Sequence, residues 1–137
     1  MQLTPVIAVH MTAALGALAL GPAALWARHG AQQHPGLHRA AGYAWVTLML
    51  LAALSSLFIR DYRMPNIAGF SPIHLFVPVV LVGLFGAFWF LAHKNRAGHR
   101  TTMQILYFGG CIGAGLFALA PDRYLGALVR GQWLGWV

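Results

Sequence analysis

Residues 36–59 read GLHRAAGYAWVTLMLLAALSSLFI. A His-Arg pair, His38-Arg39, stands directly before Ala40–Ile59, a run with no Lys, Arg, Asp or Glu. A bilayer core of about 30 Å needs about 20 helical residues. The run also lacks the alternation of polar and apolar positions that a barrel strand shows. It therefore reads as a transmembrane helix. The same pair returns as His99-Arg100 in GHRTTMQILY at 98–107, again ahead of an uncharged run, Thr101–Ala120. Thr4–Ala27 and Pro72–Ala92 are two more such runs. The expected fold is an all-α membrane protein of four transmembrane helices.

Composition agrees. Only 8% of the 137 residues are charged, against about a quarter in a soluble domain, and the mean hydropathy is +0.67. A net charge of +7 would invite nucleic acid as a partner. However, the nine Lys and Arg lie in short connections between spans, where they anchor to anionic headgroups instead. The lipid bilayer is thus the expected partner and nucleic acid is not. Cys111 is the single cysteine and falls within the fourth span, so no intrachain disulfide is expected. The opening MQLTPVIAVHMTAALGALALGPAALWA lacks a basic n-region and is too long for an h-region. It is expected to remain in the mature protein.

Thr4-Pro5 and Ser71-Pro72 read as an N-cap followed by proline at the first helical position, and Pro35 starts the second helix in the same way. Pro22 and Pro78 are expected to bend or open their helices, the latter at the turn that bears His74. Arg28, Arg39, Lys94, Arg96 and Arg100 fall on one side of the membrane. Arg60, Arg63, Arg123, Arg130 and both acids, Asp61 and Asp122, fall on the other. This bias points to both termini outside the cytoplasm. Trp26, Trp45 and Trp89 are expected as an inner aromatic belt, with Tyr124, Trp133 and Trp136 at the opposite interface. The tail, residues 121–137, reads as amphipathic and too short to cross, lying on the surface or docking on a partner.

A repeat organises the histidines. His10 and His74 are 64 residues apart, as are His29 and His93. His38 and His99 are 61 apart, as are Arg39 and Arg100, and Asp61 and Asp122. The chain reads as two tandem-duplicated helical hairpins (4–63 and 71–124) related by an axis along the membrane normal. His38 to Asp61 is 23 residues, or roughly 34 Å of helix at 1.5 Å per residue. On that scale His10 and His74 share a level near the outer face, and His38 and His99 share one near the inner face.

Paired imidazoles on facing helices can hold a flat metal macrocycle such as haem. Two haems b, one on His10 and His74 and one on His38 and His99, would form a path for electrons across the bilayer. The small residues Gly109, Gly110, Gly113 and Gly115 would flank the outer haem. Gly83, Gly86, Ala87, Gly21, Ala23 and Ala24 would flank the inner one. Arg39, Arg100 and Lys94 could pair with propionates inside, and Arg60, Arg63 and Arg123 outside.

The placement of these four histidines resembles that of the cytochrome b561 family and related diheme b-type cytochromes. That resemblance implies transmembrane electron transfer by an oxidoreductase or its membrane subunit, with quinone as an exchange partner. Through LHRAAGYAWVTLMLLAALSSLFI, GFSPIH, GHRTTM and LFALAPDRYLG, nearly the whole chain also resembles a group of predicted bacterial membrane proteins, domain of unknown function 2306. It brings no activity, but implies a bacterial inner membrane.

Competing readings weigh against each site. His38 and His99 could be interfacial residues at helix starts, and His10 a helix–helix hydrogen bond. His29 and His93 read as interface anchors. His29, His38, His93 and His99 could instead converge on a metal, with His34 and His38 at i, i+4. The glycines of the fourth span fit close helix packing, and Asp61 and Asp122 exposed ion pairs. The alternative to a cytochrome is a cofactor-free membrane subunit, structural or accessory, within a larger complex.

Overall fold

The computed structural model describes residues 3–29, 33–60, 62, 65–120, 123–133 and 135. Asp61, Asp122, Arg63 and Trp136 lie outside the described residues, and with them one matched pair of the repeat. Helix α1 spans Pro5–Trp26 and α2 spans Pro35–Ser56. A 3-10 turn, Pro72–Leu75, leads into α3, Phe76–Ala92. Helix α4, Arg96–Ile105, continues through a π-helical segment, Leu106–Ile112, into α5, Gly113–Ala118. The tail holds α6, Tyr124–Leu128, and a second π segment, Val129–Trp133. Four stretches are long and apolar enough to cross a membrane: Pro5–Trp26, Pro35–Ser56, Pro72–Ala92 and Arg96–Ala118.

Local chemistry explains the boundaries. The Thr4 hydroxyl accepts the Ile7 N–H at 3.4 Å ahead of Pro5, and Pro35 opens α2. Asn95 caps α4 by accepting the Gly98 N–H at 2.8 Å. The fourth span therefore starts before its uncharged run, because Arg96 and Arg100 can lay their stems along the helix and keep their charge at the interface. Pro78 does not break a helix interior. The turn before it is 3-10, so Pro78 falls in the first turn of α3, where a missing N–H is one of the orphan donors anyway.

Helix α1 packs along α2, α3 along α4, and α2 along α3; the π segment touches both α1 and α3 and closes the bundle. Lipid tails are as apolar as leucine, so close backbone approach supplies the packing energy. Helix α1 meets this need with a buried stripe of small residues at i, i+4 and i+8: Ala13, Ala17 and Gly21. The core gathers Ala17, Trp45, Met49, Val80, Leu84 and Tyr107. Trp45 is 3% exposed, so it is a core residue and not a member of the belt. Trp26 and Trp89 are exposed, as is Trp133 in the tail.

Gly21 and Pro22 form one device with Tyr107. A Cβ at Gly21 would collide with the Tyr107 ring, so only glycine lets that ring lie against α1. Pro22 has no N–H to give the Leu18 carbonyl one turn back. The Tyr107 hydroxyl donates to that carbonyl at 3.0 Å. At the other end, Gly126 allows α6 to fold back on the Leu119 and Ala120 carbonyls.

Candidate functional site: two histidine-lined cavities

Five histidines line two cavities, one toward each end of the bundle, termed inner and outer after the orientation expected from the sequence. The inner cavity, about 730 Å³, is lined by His38 and His99 together with His29, Arg28, Arg39, Arg96 and Arg100. Trp45, Tyr107 and Phe88 contribute aromatic surface. The outer cavity, about 430 Å³, is lined by His10 and His74 among mostly apolar side chains, with Ser56, Arg123 and Tyr124 as its other polar groups. The structure thus gathers His38 with His99 and His10 with His74, and it places Arg39 and Arg100 beside the former.

Backbone partners fix which ring nitrogen carries the proton. His38 Nδ1 lies 2.8 Å from the Ala24 carbonyl on α1. His99 Nδ1 lies 2.9 Å from the Ala87 carbonyl on α3. A carbonyl can only accept, so each Nδ1 is the protonated, donating nitrogen and each Nε2 carries a lone pair. Neither Nε2 has a hydrogen-bond partner among the described residues. An Nδ1–H held by a backbone carbonyl is also the usual way an imidazole is oriented for a metal. The two rings are bound alike, each to the preceding helix of its own hairpin.

The outer pair is not bound alike. His10 Nδ1 donates to the Ala52 carbonyl at 2.9 Å and lies 3.3 Å from the Ser55 hydroxyl. Its Nε2 has no partner among the described residues. His74 Nε2 faces two carbonyls, Ile59 at 3.0 Å and Ser56 at 3.2 Å, and must be the donor. Its Nδ1 then accepts the Ser71 N–H at 3.1 Å. Both nitrogens of His74 are consumed, Nε2 in tying the turn before α3 to the chain at the end of α2 and Nδ1 in capping that turn. No lone pair is left for a metal, so the donor set of the outer cavity does not fit a haem held by two histidines. The donor set of the inner cavity does fit one.

The remaining histidines have other surroundings. His34 stacks on Trp26 with centroids 5.4 Å apart. His93 donates to the Trp89 carbonyl at 2.9 Å and packs on that indole at 4.4 Å. Among the described residues no three His, Cys, Asp or Glu side chains come close enough to hold a metal ion. The converging four-histidine metal site is therefore not formed. The small residues divide as well. Gly21 and Gly83 are filled by Tyr107 and Leu106 and serve packing, while Ala24 and Ala87 offer the carbonyls that orient the inner histidines.

The π segment and Tyr107 were not singled out by sequence. The π segment passes between the cavities, Tyr107 lining the inner and Gly110, Cys111 and Ile112 the outer. Wide helical turns of this kind are uncommon and cluster at functional sites. Cys111 Sγ contacts Met49 Sδ at 3.2 Å. The buried Trp45 N–H lies beside the Cys111 thiol and has no nitrogen or oxygen acceptor among the described residues. Outside the cavities, the Arg60 guanidinium lies 4.0 Å from the Phe70 ring centre, so it is engaged in the loop instead of facing a propionate.

No curated protein and no solved structure matches the sequence, and the likeness to cytochrome b561 gains no support from these comparisons. A family model does match, over residues 7–137. Four apolar spans and an almost entirely helical chain agree with its description, and the protein belongs to the DUF2306 family of predicted membrane proteins.

Proposed function

We propose that the protein is a b-type cytochrome, or the cytochrome subunit of a larger membrane complex, which carries electrons in a bacterial inner membrane. The observation that carries this reading is the matched pair of Nδ1–H bonds, His38 to Ala24 and His99 to Ala87. They leave two Nε2 lone pairs on the wall of one cavity. Haem b bound there would supply one-electron chemistry. His38 and His99 would hold its iron through their Nε2 lone pairs. Arg39 and Arg100, both lining the cavity, would neutralise the propionates at the interface. Trp45, Tyr107 and Phe88 would keep water from the ring.

The excess of basic residues at this end supports a cytoplasmic placement for it, with both termini on the other side. The two hairpins read as a duplication whose inner halves kept the same histidine chemistry. A second haem on His10 and His74 would require His74 to leave its helix-start bonds, so the inner site is the first to test. The test is a dithionite-reduced minus oxidised visible spectrum of the detergent-purified protein, with haem quantified per chain. One haem with a sharp low-spin b-type band supports the reading. Two would extend it to the outer pair. Absence of haem after expression with ample supply would overturn it, in favour of a cofactor-free accessory subunit.

A further inference from the structure

We propose that the outer cavity is a binding site for a lipid-soluble quinol, with a hydroxyl of its head group donating to His10 Nε2. This rests on the electron-transfer reading above and assigns its small-molecule partner to a place. Three observations carry it. The first is the state of the ring: Nδ1 is spent on the Ala52 carbonyl at 2.9 Å, so Nε2 is a lone pair that wants a donor. The second is isolation. His74 is saturated by Ser71, Ser56 and Ile59, which leaves the His10 lone pair as the open imidazole acceptor of a mostly apolar cavity of about 430 Å³, whose other polar side chains are Ser56, Arg123 and Tyr124.

The third is access. Leu15, Leu116 and Leu119 line this cavity and are also exposed on the bundle surface, at 53%, 68% and 46%. The cavity therefore opens toward lipid, from which a lipid-soluble molecule would enter. His10 lies five residues inside α1, roughly 8 Å below its start, a depth suited to a polar head group with its chain in the hydrocarbon. At His10 itself a quinol O–H can donate where a quinone carbonyl cannot. A site that must pair a buried polar atom rejects an analogue that leaves it unpaired.

The test uses purified full-length protein kept anaerobic and reduced with dithionite. Equilibrium binding of decyl hydroquinone is compared by calorimetry with that of its di-O-methyl ether, which has the same body and no O–H. The hydroquinone is expected to bind at least tenfold more tightly. His10→Phe should erase that difference. Gly115 lines the cavity with open space where a Cβ would stand, so Gly115→Phe should block binding of both compounds without disturbing His10. Equal affinities for the two probes would overturn the proposal, as would hydroquinone binding unchanged in both variants. 1-Decanol binding as tightly as the hydroquinone would overturn the assignment to quinol. Haem content is measured on the same samples. Loss of a second haem in His10→Phe would make the outer cavity a haem site and overturn the proposal while leaving the cytochrome reading intact. Hydroquinone selectivity in a haem-free protein would uphold the site and sink the cytochrome.

Discussion

Tyr107→Phe removes one oxygen atom and isolates a single interaction. In the native bundle that hydroxyl donates to the Leu18 carbonyl at 3.0 Å, a carbonyl that Pro22 cannot satisfy from within α1. Within a bilayer no water can replace the lost donor. An orphaned buried carbonyl costs about 1–3 kcal/mol, whereas side-chain hydrogen bonds measured in membrane bundles average about 0.6 kcal/mol. A loss of about 1 kcal/mol is therefore expected, roughly fivefold in the unfolding equilibrium. The informative comparison is the same substitution in a Pro22→Ala background. Alanine restores an N–H one turn above Leu18, so the carbonyl has a partner without Tyr107. There the cost of Tyr107→Phe should fall to a few tenths of a kcal/mol. The four proteins are compared by reversible unfolding in mixed micelles of mild detergent and dodecyl sulfate, followed by circular dichroism. An equal penalty in both backgrounds would refute the pairing of Pro22 with Tyr107.

Gly21→Ala should destabilise by about 1–3 kcal/mol through overpacking against the Tyr107 ring; in a Tyr107→Ala background the same change should become neutral or stabilising in the same assay. His38→Ala and His99→Ala should each abolish the low-spin b-type band, and His34→Ala should not, as read by the reduced-minus-oxidised spectrum. Arg39→Ala and Arg100→Ala should each weaken haem retention by about fivefold, as expected for exposed charges, measured by transfer to apomyoglobin. His74→Ala should lower the unfolding midpoint by unfastening the start of α3 from Ile59 and Ser71, at a cost of about 1–3 kcal/mol. It should leave the spectrum of an inner haem unchanged, and a lost band would show that His74 is a ligand.

The spans were legible because insolubility in water and solubility in lipid are written in composition. Ala40–Ile59 and Pro72–Ala92 announce themselves by lacking charge, and Thr4, Pro5 and Pro35 mark helix starts by local chemistry that needs no partner. Arg96 shows the limit of that signal: the fourth span begins among its basic residues, since long cationic stems tolerate a helix end that a charge count rejects. Trp45 shows another. An indole near the start of an uncharged run reads as interfacial, but α2 begins at Pro35 and carries Trp45 at its middle, in the buried cluster with Ala17 and Leu84. The pairing of His38 with His99 and His10 with His74 was readable from spacing. The difference between the pairs was not, because it depends on where the Ile59 and Ser71 backbone groups come to lie. A spacing places imidazoles at a depth but says nothing of which nitrogen is already engaged. The stripe of Ala13, Ala17 and Gly21 was open to a sequence reading as a small-residue period on α1.

The π segment at Leu106–Ile112 has a geometric outcome for the fourth span. Each residue of an α-helix advances about 100° around the axis, and a π turn accommodates one residue more than an α turn. A wide turn therefore acts as a clutch in a drive shaft, letting the outer end rotate relative to the inner end without a break in the rod. His99 and Tyr107 can face the basic chamber while Cys111 and Gly115 address the apolar one, although all four stand on one continuous span. Excising a residue such as Gly109 would engage the clutch, turning one end by about a hundred degrees against the other. Each chamber would then meet a wall meant for a different direction.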